Sequence, residues 1–433
     1  MGDGAKLWNY KILVVNSGYV TVFLMRIQFM VFVVPALCAI ASSQGGMPQP
    51  SEWKVGTPIV TYFAGPTMSE AVAVQMAEGG FNVVWSGEKD LDLLQKHGLR
   101  GMLHDKLLSP ATLDVPEQKE KLDALIVRVS KHPAFYSYYI TDEPSAEAFP
   151  GLGKLLAYLR ERDPAHMAYI NLFPTYANNK QLGVKGDAVT AYREHLKQYV
   201  AVVKPQLVSY DHYQFMVDGE KKEYFLNLSL IREVSQGAKV PFLNIVQACS
   251  WDPVVRVPTA NEMRYLVYTT LAYGAEGISY FVYSAGDFRG GMCNKDGMPT
   301  AIYEAVKPLN REFVAIAKEL QPLRSQAIYH THLKEPGCDP LPVNAAFRFE
   351  GISVPANGRG LLLGCFGRQN ESPSHVMVVN LDCRAEATTT IVGPADLETF
   401  DAVGCKWSPA NGFRAGLKLL PGGGTLLRVK PGK

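Results

Sequence analysis

The sequence FYSYYITDEP, residues 135–144, decides how this 433-residue chain folds. It opens with aromatic residues typical of a buried strand and closes with two carboxylates and a proline, which mark the strand's end. A helical pattern precedes it at residues 118–130, and another follows at residues 153–162. A strand between two helices is the unit from which parallel sheets are built, so this stretch indicates an α/β fold.

The same unit repeats eight times between residues 58 and 323, with short runs rich in Val, Ile, Tyr and Phe alternating with helical patterns. The predicted strands are residues 58–65, 81–87, 99–105, 135–144, 166–174, 205–215, 240–251 and 277–284. Eight units are the number that closes a (β/α)₈ barrel, also called a TIM barrel. An open doubly wound sheet is the alternative, but no G-x-G-x-x-G motif follows the first strand and the sequence has no P-loop.

The helical period disappears after about Leu323. Alternating apolar and polar runs follow, separated by Gly, Pro and Asn, as in the strands of an antiparallel sheet. We therefore predict a catalytic barrel over residues 58–323 and a C-terminal antiparallel β-sandwich over residues 324–433.

Residues 1–41 are predicted to be a secretory signal peptide. An apolar run at residues 29–41 follows Arg26 and ends in Ala39-Ile40-Ala41, which fits the small-residue cleavage pattern. A membrane anchor is the rival, but the run is short for a membrane span and Pro35 interrupts it. We expect a secreted or periplasmic protein with a linker at residues 42–57 and no stable membrane span after processing.

The charge balance argues against a nucleic-acid partner. Lys and Arg number 43 against 41 Asp and Glu, so the chain has no basic field over its whole length. The small positive excess lies within residues 1–41, and the remainder is neutral in sum. This balance suits a neutral carbohydrate substrate, whereas the oligomeric state leaves no mark in the sequence.

Six cysteines follow the predicted signal peptide, an even number that permits disulfides in an exported protein. Cys249 and Cys293 are more plausible as a disulfide that ties two loops than as nucleophiles, because no His-Asn arrangement accompanies them. No C-x-x-C or His-rich spacing is present, so we expect neither a metal nor another cofactor. The six are Cys249, Cys293, Cys338, Cys365, Cys383 and Cys405.

The ends of the predicted strands carry the candidate site, because barrel enzymes place their chemistry there. Asp142, Glu143 and Asp211 are the catalytic candidates, since glycoside cleavage needs an acid and a second stabilising group. Aromatic faces and hydrogen-bonding groups nearby suit sugar rings and their hydroxyls. The substrate-binding candidates are Tyr62, Trp85, His104, Asp105, Asn171, His212, Tyr213, Gln247, Trp251 and Tyr283.

Structural roles compete with these assignments. Asp142-Glu143-Pro144 also suits the first turn of a helix, where acidic residues and Pro are favoured. Asp211 is also a candidate ion-pair partner, and a histidine at a strand end is more often a satisfied hydrogen-bonding group than a catalyst. Adjacent strand residues point to opposite faces, so Asp142 and Glu143 both face inward only if the strand ends there, as Pro144 indicates.

At these strand ends the chain resembles the (β/α)₈-barrel glycoside hydrolases. Tyr139-Ile140-Thr141-Asp142-Glu143-Pro144 is similar to the Asn-Glu-Pro acid/base motif of the large β-glycosidase clan, with Asp142 replacing Asn. The resemblance implies that Glu143 is the general acid/base. That clan also has a Glu nucleophile at the end of strand seven, and Val246-Gln247-Ala248-Cys249 contains none.

Two other glycosidase patterns supply a second group. Hexosaminidases with an Asp-Glu pair at the end of strand four resemble Asp142 and Glu143, and their Asp orients the substrate's acetamido group, which serves as the nucleophile. The α-galactosidase clan uses an Asp on strand four and another on strand six, similar to Asp142 and Asp211.

The sequence therefore predicts a secreted glycoside hydrolase that cleaves O-glycosidic bonds of oligo- or polysaccharide, with Glu143 as general acid/base. The alternative is a non-catalytic carbohydrate-binding barrel, which the missing acid on strand seven favours. A metal-dependent amidohydrolase barrel would need H-x-H on strand one, and Ile59-Val60-Thr61-Tyr62 has no His.

Overall fold

The computed structural model describes residues 52–251, 253–286, 288–355 and 358–432. Eight parallel strands, numbered β1 to β8 in chain order, form one sheet. They are Ile59–Phe63, Val83–Ser86, Arg100–Leu103, Phe135–Asp142, Met167–Leu172, Val208–His212, Phe242–Gln247 and Gly277–Phe281. Their spatial order is β1-β8-β7-β6-β5-β4-β3-β2, so consecutive strands are neighbours around the sheet. This is the predicted (β/α)₈ barrel, and the prediction is confirmed.

Asn82 closes the barrel where the ladder between β1 and β2 is missing. Its backbone N–H donates to the Val60 carbonyl at 3.0 Å, and its side-chain oxygen accepts from the Val60 N–H at 3.1 Å. The Arg100 guanidinium holds that same side-chain oxygen at 2.9 Å. Asn82 thus replaces a regular pair of strand hydrogen bonds with one bond from its backbone and one to its side chain, and it completes the ring of strands.

Eight helices, α1 to α8, follow the strands in turn. They are Glu70–Glu78, Leu91–Lys96, Pro116–Val129, Phe149–Arg162, Ala188–Gln198, Tyr224–Ala238, Ala260–Ala272 and Ala301–Leu320. The fifth begins at Ala188, because the Asp187 carboxylate caps it by accepting from the Val189 and Thr190 N–H groups. Among the described helices, none is both long and apolar enough to cross a bilayer.

Strand residues alternate between the barrel interior and the layer beneath the helices. Ile59, Met102 and Leu243 belong to the interior cluster. Tyr62 and Tyr210 belong to the larger cluster that the helices cover. This alternation decides which residues at the strand ends face the mouth of the barrel.

Residues 52–57 lie against the opposite end of the barrel. The Trp53 N–H donates to the Pro164 carbonyl at 2.8 Å, and the Tyr136 hydroxyl donates to the Val55 carbonyl at 3.0 Å. This end of the predicted linker is therefore fixed to the fold. The predicted signal peptide at residues 1–41 and the linker up to residue 51 lie outside the described residues.

The C-terminal strands form two antiparallel sheets, and the predicted β-sandwich is confirmed. Strands β9 to β17 are Arg324–His330, Arg348–Ser353, Leu361–Gly367, His375–Asn380, Ala387–Val392, Leu397–Asp401, Lys406–Pro409, Arg414–Leu419 and Gly424–Val429. The order of the six-stranded sheet is β9-β11-β12-β17-β14-β15, and the three-stranded sheet is β10-β13-β16. On β11, Leu361 and Leu363 join the sandwich core, whereas Leu362 and Phe366 join the core shared with the barrel. The larger sheet is therefore covered on both faces.

The expected disulfide between Cys249 and Cys293 does not form, and all six cysteines of the described chain are free thiols. The backbone of Cys249 pairs with Gly290, and that of Cys293 pairs with Ser284 and Pro299. The two loops are therefore held by backbone hydrogen bonding. Burial raises the pKa of the Cys249 thiol to about 12, which leaves it unreactive.

Gly364 fixes how closely the C-terminal sheet approaches the barrel, because a Cβ atom there would collide with the Ala272 carbonyl at the end of α7. We predict that Gly364→Ala destabilises the protein by about 1–3 kcal/mol, the usual cost of overpacking a core. Gly416→Ala is the matched control, since no atom lies within 4 Å of the added Cβ. Thermal unfolding of both variants checks this, and equal melting temperatures would contradict it.

Candidate active site

A bulge in β4 turns Asp142 toward the barrel mouth. Tyr139 pairs with Tyr169, Thr141 pairs with Ile170 and Asp142 pairs with Asn171, so Ile140 is the extra residue. Strict alternation from Tyr139 would place Asp142 on the outer face. The inserted residue reverses this and aligns Asp142 with Asn171, as bulges beside active sites commonly do.

Glu143 leaves the strand in a left-handed conformation, with φ +44°. This conformation is unfavourable for a residue with a Cβ atom, and the surrounding fold must hold it. The Glu143 N–H donates to the Asn171 carbonyl at 2.9 Å. The turn after β4 therefore brings Glu143 to the same mouth as Asp142, although the two residues are adjacent.

Asn171 on β5 joins the carboxylates of β4 and β6. Its side-chain amide donates to Asp142 Oδ1 at 3.0 Å and to Asp211 Oδ1 at 3.2 Å. Its own side-chain oxygen accepts from the Ser209 hydroxyl at 3.0 Å. Because every polar atom of this carboxamide is engaged, its orientation is fixed, and both aspartates are held around one nitrogen.

The carboxylates open into a cavity of about 200 Å³ at the carboxyl ends of the strands. Asp211 is only 3% exposed and lies at its floor, whereas Asp142 lies at the opening. Five of the nine lining side chains are aromatic, and none of the described lining residues is Lys, Arg or His. The lining residues are Phe63, Asp142, Glu143, Asn171, Asp211, Tyr213, Trp251, Phe281 and Phe288.

Burial and mutual repulsion favour the protonated forms of these acids. Burial, reinforced by the charge of Asp142, raises the pKa of Glu143 to about 7 against the opposing effect of its hydrogen bond with Asp211. Burial, followed by the charges of Glu143 and Asp142, raises the pKa of Asp211 well above its usual range. Partial desolvation also raises the pKa of Asp142. The charge of ionised Glu143 opposes the ionisation of Asp211, so the two acids do not readily lose both of their protons.

The structure brings six of the predicted site residues together in this cavity: Asp142, Glu143, Asn171, Asp211, Tyr213 and Trp251. They come from β4, β5 and β6 and from the loops after β6 and β7. The described residues thus contain the expected combination of paired acids, an amide and aromatic faces.

Two predicted residues lie on the opposite face of their strands. Tyr62 is buried beneath the helices, where its hydroxyl donates to Met76 Sδ at 3.3 Å. His212 is fully buried, and its Nδ1 forms a hydrogen bond with Asn227 Oδ1 at 3.0 Å. Each is adjacent in sequence to a residue that faces the barrel mouth. The predicted residue is therefore one position away from the residue whose side chain points into the mouth.

The other predicted residues surround the cavity without lining it. The Trp85 and His104 rings pack together with centroids 4.0 Å apart and their planes tilted by 35°. Asp105 accepts from the Leu107 N–H at 2.8 Å within a turn, and the Tyr283 hydroxyl donates to Gln75 at 2.7 Å. Gln247 is fully buried and hydrogen-bonded to backbone groups of two loops.

The sequence analysis did not predict three phenylalanines that line the cavity. Phe63 and Phe281 are the last residues of β1 and β8; Phe63 follows the predicted Tyr62 directly, and Phe281 lies two residues before the predicted Tyr283. Phe288 lies in the loop after β8 and packs near Trp251, with ring centroids 6.5 Å apart. No sequence pattern distinguishes Phe288 from an ordinary loop residue.

A family model described as β-galactosidase, of glycoside hydrolase family 42, matches residues 188–316. The matched segment extends from α5 into α8 and includes Asp211 and the whole of β7. No curated protein sequence matches the chain.

Solved β-galactosidases share the fold. Gan42B, a family 42 β-galactosidase from G. stearothermophilus, superimposes with a TM-score of 0.53 at 9% identity, covering 84% of this chain and 96% of that one. A catalytic mutant of the same enzyme gives 0.53 at 10% identity, covering 87% and 98%. A β-galactosidase from Marinomonas ef1 gives 0.43 at 13% identity, and the chain spans only 60% of its length, with 60% of this chain covered.

Proposed function

We propose that this (β/α)₈-barrel protein is a secreted glycoside hydrolase that removes terminal neutral sugars from oligo- or polysaccharide, with Glu143 as the general acid/base. The observation that supports this most strongly is the group of Asp142, Glu143 and Asp211 around Asn171 in one aromatic cavity. Acids clustered at the carboxyl ends of barrel strands are the groups that glycoside cleavage requires.

The shape and lining of the cavity support a single neutral sugar ring. Its volume of about 200 Å³ is below the roughly 300–1,000 Å³ of pockets for drug-sized ligands. The aromatic walls suit the C–H faces of a ring, and the acids and Asn171 suit its hydroxyls. An anionic sugar would be repelled by these carboxylates, and no described residue of the lining is a cation that would offset the repulsion. β-Galactosides are the first substrates to test, because the matching family model and the solved neighbours carry that name.

Glu143 has the protonation state that a general acid needs. With its pKa raised to about 7, a large fraction of Glu143 keeps its proton at neutral pH, and this form gives the proton to the leaving-group oxygen as the glycosidic bond breaks. Its conjugate base then accepts a proton from the water that attacks the anomeric carbon. One carboxyl group therefore serves both halves of the reaction.

Asp211 is the second carboxyl group in this proposal. Its carboxylate forms a bond to the anomeric carbon while the bonding electron pair leaves with the departing oxygen, which Glu143 protonates. Water then displaces Asp211, giving the free sugar and restoring both acids. In the reactive form the proton lies on Glu143 and Asp211 is ionised; Asn171 and the Tyr213 hydroxyl, both hydrogen-bonded to Asp211, favour this form against burial, which raises the pKa of Asp211.

We predict that Glu143→Gln lowers kcat on β-galactosides and other aryl glycosides by 10²–10⁴, because the leaving oxygen loses its proton donor. In the parent, kcat/KM should fall as the pH rises above about 7, where Glu143 deprotonates; this alkaline limb should flatten in the variant. Glu147→Gln, on the exposed surface nearby, is the control and should match the parent.

Turnover of the Glu143→Gln variant within a few-fold of the parent would contradict the assignment. A strict requirement for an N-acetyl group would instead support substrate assistance, with Asp142 orienting the acetamido group. Glycan binding without turnover by the parent, on any glycoside, would contradict the proposed reaction and favour the carbohydrate-binding alternative.

We predict that the product keeps the anomeric configuration of the substrate. Inverting enzymes separate their carboxyl groups by about 6.5–9.5 Å to admit a water molecule. Here Asp142 and Asp211 accept from one amide nitrogen, and Glu143 lies close enough to Asp211 for its charge to raise the pKa of that acid, which leaves little room for a water molecule between the carboxyl groups. Proton NMR of the first product formed, before mutarotation, tests this, and initial release of the opposite anomer would refute it.

Secretion rests on the pattern of residues 1–41. We expect the full-length chain to be cleaved after Ala41 and exported when expressed in a bacterial host. N-terminal sequencing of exported protein checks the site, and Ala39→Arg with Ala41→Arg should block cleavage. Full-length protein that stays in the cytoplasm would contradict secretion without affecting the assignment of Glu143.

A further inference from the structure

Gln247 ends β7, the position where the β-glycosidase clan that the sequence resembles has its nucleophile. The side chain is fully buried and lies outside the cavity lining. Its oxygen accepts from the Phe215 N–H at 2.9 Å, and its amide nitrogen donates to the Phe215 carbonyl at 3.0 Å and to the Arg256 carbonyl. All three partners are backbone groups of two different loops.

These two loops carry one wall of the cavity. The loop after β6 holds Tyr213 and a short hairpin of Phe215–Met216 and Gly219–Glu220. The loop after β7 holds Trp251. The Tyr213 and Trp251 rings meet edge to face, with centroids 4.9 Å apart.

The loops are also joined to each other, at a point further from the barrel. The Val217 N–H donates to the Val254 carbonyl at 2.9 Å. Val255 forms backbone bridges with both Met216 and Trp251. Gln247 lies at the base of this assembly, where both loops leave the barrel.

We propose that Gln247 is a positioning residue that fastens the two loops and so aligns Tyr213 and Trp251 around the sugar. A carboxamide suits this place because it supplies an acceptor and two donors together. A carboxylate would present oxygen atoms to both carbonyls: the Arg256 carbonyl would lose this donor, and the Phe215 carbonyl would keep only its bond from the Arg256 N–H at 3.2 Å. The role in sugar binding rests on the proposed function, whereas the fastening of the loops does not.

The first test is Gln247→Glu, with Gln247→Met as a second variant that removes the hydrogen bonds without burying a charge. Both should raise KM at least tenfold, with a smaller effect on kcat, because the sugar-binding wall loses its alignment. Amide hydrogen exchange measured by mass spectrometry should accelerate at least tenfold in residues 213–220 and 253–257, at temperatures where each variant is folded.

Asn244→Asp is the matched control on the same strand. Asn244 is equally buried, but its amide donates to Thr270 on α7 at 2.8 Å. The change from amide to acid should lower thermal stability there while hydrogen exchange in the two loops stays at the parent's rate.

Higher turnover in Gln247→Glu would overturn the proposal, since it would mean that the position is a catalytic site lacking its acid. Unchanged exchange in both Gln247 variants would overturn it as well. If the parent cleaves no glycoside, the proposed function fails, but the exchange experiment still decides whether Gln247 fastens the loops.

Discussion

The hydrogen bonds of the Asn171 carboxamide are the constraint on which the site depends. The amide nitrogen of Asn171 donates to both Asp142 and Asp211 and holds the two carboxylates together against their mutual repulsion. The backbone of the same residue accepts from Glu143 and holds it in its left-handed conformation. Two strands, β4 and β6, thus deliver three acids to one point beside Asn171 of β5, and burial makes their ionisation costly. A fold can support such a strained arrangement when the rest of the barrel is tightly packed.

Different parts of the molecule build different parts of the site. The barrel strands place the acids, and the loops after β6 and β7 supply aromatic walls. The C-terminal sandwich contributes to the same region, since Arg359 forms ion pairs with Glu220, in the hairpin after β6, and with Glu335. The sandwich therefore supports a loop of the site as well as covering the barrel helices. Its close approach to the barrel leaves no room for a side chain at Gly364.

Much of the fold and part of the site were predictable because they depend on local periodicity. Eight strand–helix repeats predict a closed barrel, and barrel geometry directs attention to strand ends such as Asp142-Glu143 and Asp211. The direction of each side chain was less predictable, since an error of one residue moves it to the other face. Tyr62 was chosen where Phe63 faces the mouth, and His212 was chosen in addition to its neighbour Asp211, which does face the mouth. The bulge at Ile140 depends on pairing with β5, which no local pattern reveals.

The sequence by itself determined the class of protein, the barrel, the C-terminal sandwich and the strands that carry the acids, because these follow from composition and period along the chain. Only the tertiary structure decided which side chains meet. It placed Asn171 between two acids, turned Gln247 away from the cavity toward two loops, and left Cys249 and Cys293 as free thiols. The physical reason is that hydrogen bonds and burial depend on distances between residues far apart in sequence, and folding alone fixes those distances.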